Sequence, residues 1–95
     1  MLNREDFIFT IGYDGPIAVV DKQAKKKFGK LSTRELAEKG LFRPAYSSAV
    51  YSGNKDEIEL VAEVYSRLEG HPTDVSALER LFGVSLVDVK RSILI

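Results

Sequence analysis

His71 is the single histidine of the chain, set beside Pro72. An imidazole could act as a general base, but only with a nucleophile or carboxylate within hydrogen-bond reach. No obvious companion stands at local spacing, so His71 reads as an exposed loop residue. Asp56, Glu57, Glu59 and Glu63 are the densest carboxylates. A metal site would need the fold to gather them; on a helix, 56, 59 and 63 line one face and form a solvated acidic stripe. Tyr13, Tyr46, Tyr51 and Tyr65 could offer stacking platforms, although helical spacing assigns Tyr65 to a core. Gly12-Tyr13-Asp14-Gly15 lacks the third glycine and the lysine of a phosphate-cradling loop, and reads as a turn. The remaining chemistry is cationic: Lys22, Lys25, Lys26, Lys27 and Lys30 could contact phosphates or form the solvated face of a short helix.

These residues belong to a chain of 95, about one domain's worth, read here as a single unit over 1–95. The apolar fraction of 44% and charged fraction of 29% suit a globular domain and are too apolar for a disordered one. No cysteine is present, which excludes disulfides, thiolate nucleophiles and thiolate metal sites. No metal, cofactor or catalytic residue is expected. The start of the chain is charged and then strand-like, unlike a secretory signal, and no window approaches the roughly 18 apolar residues of a membrane span. A soluble cytoplasmic protein is the expectation. Net charge is zero, but residues 1–50 carry nine Lys/Arg against six Asp/Glu, and residues 51–95 five against eight. A protein that coats nucleic acid would be basic throughout.

The elements that must position these groups follow from local patterning. Residues 7–11 (Phe-Ile-Phe-Thr-Ile) and 17–20 (Ile-Ala-Val-Val) suit strands, and the intervening Asp14-Gly15-Pro16 suits a hairpin turn. Asp21 can cap a short helix ended by Gly29, and Ser32 through Glu35 has capping-box spacing before a helix closed by Gly40. The segment 45–52 reads either as a helix with Pro44 in its first turn or as a strand. Asn54 caps the clearest helix, 55–68, with Ile58, Val61, Tyr65 and Leu68 as its apolar face. Thr73 or Asp74 caps a helix running to Phe82, and a last helix is expected from 86 to about 93.

The stretch from Leu78 to Ile93, with Gly83-Val84-Ser85 at its centre, resembles the helix-turn-helix of bacterial DNA-binding proteins. In that family the glycine permits the sharp turn, the serine caps the second helix, and that helix enters the major groove. The resemblance covers about 20 residues for the motif proper, or about 40 with the helix at 55–68 as third member. It implies that Ser85, Leu86, Val87, Lys90 and Arg91 face DNA, with Lys22, Lys25 and Lys26 as auxiliary phosphate contacts. Two features depart from the pattern. Glu79 occupies the position, four before the glycine, where a small residue is usual; the base-reading positions Leu86 and Val87 are apolar, and Asp88 places a negative charge where phosphate would lie.

The expected architecture is α+β. An N-terminal β-hairpin and short helices (1–53) pack on a mainly helical body, ending in a tri-helical, helix-turn-helix-like unit (54–95). Two binding functions follow. One is a non-enzymatic nucleic-acid-binding protein using Ser85, Lys90, Arg91, Lys22, Lys25 and Lys26. The other is a protein-interaction or dimerisation module presenting Leu86, Val87 and the apolar run Ile93-Leu94-Ile95. Enzymatic action through His71 ranks third.

Overall fold

A computed structural model describes residues 3–83 and 91–95. In chain order the elements are α1 (Arg4–Ile8), β1 (Thr10–Asp14), β2 (Ile17–Val20), α2 (Lys22–Phe28), α3 (Thr33–Glu38), α4 (Phe42–Ser52), α5 (Lys55–Glu69), α6 (Val75–Phe82) and β3 (Arg91–Leu94). The class is α+β, with the β1–β2 hairpin at the N-terminal end.

The hairpin starts later than the β-propensity of residues 7–11 predicts. Asn3 accepts a hydrogen bond from the Asp6 amide, and Glu5 and Asp6 fill the first turn of α1. Cap and helix dipole therefore both favour a helical turn. That turn buries Phe7, Ile8 and Phe9 together and sets the Phe7 ring 5.6 Å from that of Tyr51 on α4. An extended segment would send alternate side chains to opposite faces. Packing on α4 wins, and β1 begins only at Thr10.

β1 and β2 pair antiparallel, with Tyr13 opposite Ala18 and Gly12 opposite Val19. Ile11 falls at the irregularity between Thr10 and Gly12 and stands 61% exposed. The segment 45–52, open between helix and strand on sequence, is helical. The third strand comes instead from Arg91–Leu94, which pairs parallel to β2 and sets the sheet order β1-β2-β3. The expected helix over 86–93 is thereby corrected at its end. Residues 91–93 are extended because they pair with Ile17 to Val19, which satisfies backbone groups on that side. Residues 84–90 lie outside those described.

The α2, α3, α5 and α6 caps fall where sequence places them. Asp21, Ser32, Asn54 and Asp74 each accept from an amide of the first turn, and Ser32 with Glu35 completes a capping box. Gly83, at φ 55°, ends α6 in the left-handed conformation that glycine tolerates best. Gly29 is a different case. Its φ is ordinary, but a Cβ there would lie 2.5 Å from the Lys25 carbonyl oxygen. Ala18 and Val20 on one face of the sheet are fully buried and join a single core with Leu36, Val61, Val64 and Leu78 from the helices. Each such aliphatic side chain contributes about 2 kcal/mol by leaving water. Tyr65 is half-buried against Phe42, with ring centroids 4.8 Å apart, whereas Leu68, expected on the same face, is 50% exposed.

Candidate interaction surface

The His71 loop holds its polar groups in local bonds. The Ser66 hydroxyl donates to the Ala62 carbonyl at 2.8 Å and accepts the Thr73 amide at 2.8 Å, so it is not poised as a nucleophile. The Asp74 carboxylate caps α6 through the Ala77 amide, and Arg67 pairs with Glu38 at 2.7 Å. The His71 ring meets the Thr73 hydroxyl at 3.4 Å and lies edge-on to Tyr65. Among the described residues no group of three or more His, Asp or Glu side chains is placed to hold a metal ion.

A second polar cluster has no local sequence signature. Arg4 donates to the Ser48 hydroxyl and to the carbonyls of Gly29 and Leu31; the Ser48 and Thr33 hydroxyls meet at 2.8 Å, and Thr33 donates to Glu57. The direction of this chain is fixed by chemistry. A guanidinium only donates and a carboxylate only accepts, so protons point from Arg4 through Ser48 and Thr33 to Glu57. Thr33 and Ser48 are buried, and the chain ties α1, α3, α4 and α5 together. Arg4 has four of its five N–H interactions accounted for, which leaves little with which to hold a ligand.

The lysine cluster divides in two. Lys25 sits 2.6 Å from Asp6, whose other carboxylate oxygen accepts from the Ser92 hydroxyl at 3.2 Å. Asp6 Oδ1 is buried and takes no well-aligned hydrogen bond among the described residues; the ammonium charge beside it provides the compensation. Asp6 thus fastens α2 and β3 to α1, and Lys25 is engaged there. Lys22, Lys26, Lys27 and Lys30 are exposed and, among the described residues, have no acidic partner.

Next to them lies the apolar rim of the sheet. Ile93, Leu94 and Ile95 are 41%, 46% and 63% exposed. In the parallel register Ile93 neighbours Val19, on the face opposite the buried Ala18 and Val20. Gly12 lies across from Val19 on that same face, and a Cβ there would meet nothing within 4 Å. Among the described residues this outer face is therefore apolar and uncovered at its centre. The edge, among the described residues, is open too. The Ile95 amide donates to Val20 and its carbonyl accepts from Lys22, so odd-numbered residues of this strand turn their backbone groups to β2. The N–H and C=O groups of Ser92 and Leu94 then point outward, and no described backbone group pairs with them.

Of the other sequence-predicted residues, Ser85, Leu86, Val87 and Lys90 lie outside the described ones, and Arg91 opens β3. Glu79, the departure from the helix-turn-helix pattern, lies near Tyr46 of α4. The Tyr46 hydroxyl is pushed above the usual phenol range by burial and secondarily by the Glu79 charge. No helix among the described residues is long and apolar enough to cross a membrane. No protein-family model, curated protein or solved structure matches this chain.

Proposed function

We propose that this chain is a non-enzymatic binding module whose partner is a protein, engaged through the outer face of the sheet and the free edge of β3. One observation carries the reading. A short strand and the residue that follows it present two exposed aliphatic side chains, Ile93 and Ile95, on the outer face, together with backbone donors and acceptors that have no described partner. Unpaired edges of this kind are templates for another strand, and contiguous apolar surface marks a contact site. The nucleic-acid reading has less behind it. Of its six contacts, Ser85 and Lys90 lie outside the described residues, Arg91 belongs to a strand, and Lys25 is held by Asp6.

A photo-crosslinking residue at Ile95, compared with one at exposed Glu59, tests the proposal in cells that express the protein. The expected result is one discrete adduct from position 95, none from 59, and loss of the adduct on Ile93→Asp. Equal labelling from both positions, or none from either, overturns the reading.

A further inference from the structure

The edge of β3 does not stand alone. The Lys22 amide bonds the Ile95 carbonyl at 3.0 Å, which brings the first turn of α2 against the end of the strand. Lys22 and Lys26 stand one helical turn apart there, both exposed and both without a described acidic partner. The neighbouring cation, Lys25, already has Asp6. A docked strand would thus meet three things in sequence: outward amides at Ser92 and Leu94, aliphatic surface at Ile93 and Ile95, and positive charge with no acidic partner among the described residues.

We infer that the occupant is an extended, acidic peptide segment of another protein, added as a fourth strand beside β3 with its carboxylates toward Lys22 and Lys26. This rests on the protein-interaction reading above and specifies its partner. Charge decides against the simplest alternative, a second copy. Two β3 strands paired symmetrically would meet Lys22 and Lys26 with no side-chain carboxylate, since residues 91–95 contain none, and would add a second set of the same lysines. An acidic strand turns the same feature into attraction and fixes register, since the charges and the alternate apolar contacts both repeat every second residue.

The test is an amide NMR titration of the full chain with two six-residue peptides, one alternating valine with glutamate and the other valine with lysine. The glutamate peptide should shift the Ser92, Leu94, Lys22 and Lys26 amides, the more weakly the higher the salt, and the lysine peptide should not. Lys22→Glu combined with Lys26→Glu should weaken the glutamate peptide about tenfold or more. Equal response to both peptides, or none to either, overturns the acidic assignment. So does a shift of the same four amides on concentrating the protein alone, which would make a second copy the occupant. In each case a discrete crosslink at Ile95 would leave the interaction reading standing, and its absence would remove both.

Discussion

The polar chain from Arg4 to Glu57 and the rim of β3 are the two regions where this molecule concentrates interacting groups, and they treat them in opposite ways. In the first, donors and acceptors from four helices are matched to one another, and the hydroxyls between the two charges are buried. In the second, two lysines, the backbone groups of two residues and three aliphatic side chains face solvent with no described partner. Functional groups that are already satisfied inside the fold hold it together. Groups left unsatisfied at low structural cost are where a partner can act.

Substitutions sharpen this contrast. Arg4→Met should cost the most, about 3 kcal/mol, because it strands the Gly29 and Leu31 carbonyls and breaks the link to Ser48. Urea unfolding at neutral pH checks this, and a loss below about 0.5 kcal/mol would show the chain to be incidental. Asp6→Asn should cost less, about 1–2 kcal/mol, since the Lys25 pair is partly exposed and the Ser92 bond can survive. Tyr46 gives a pH-dependent effect. Its pKa is raised in the folded state, so the neutral form stabilises the fold below the ordinary phenol pKa of about 10, and that contribution is lost as pH climbs above it. Tyr46→Phe should flatten the alkaline decline of the melting temperature; an unchanged decline would assign it to other groups. At the rim, Ile95→Asp should change stability by no more than about 0.5 kcal/mol in the same urea experiment while abolishing the crosslinked adduct of a neighbouring reporter. A large destabilisation there would mean the strand is part of the core.

What could be read beforehand follows the same division. Helix ends were legible because caps are local: Asp21, Ser32, Asn54 and Asp74 each act within three residues of their own position. The α1 segment was not, because Phe7 to Phe9 have strand propensity and are turned helical by a cap and by packing on Tyr51, far away in sequence. β3 was missed for a related reason. Helical spacing across 86–93 is a local pattern, whereas pairing of Arg91–Leu94 with β2 joins residues more than 70 positions apart. Ile93 to Ile95 read as contact surface on composition alone, and the structure places them exposed at the end of the sheet. The Arg4–Ser48–Thr33–Glu57 chain has no periodicity or motif to announce it, since its members are brought together only by the fold.

The central claim is that the outer edge of β3 is open. Amide hydrogen exchange of the isolated protein, read residue by residue, tests it most directly. The account predicts alternation, with Ile93 and Ile95 slow because their amides face β2, and Ser92 and Leu94 fast because theirs face water. Uniform slow exchange across all four residues would mean that the edge is already covered, and would contradict it.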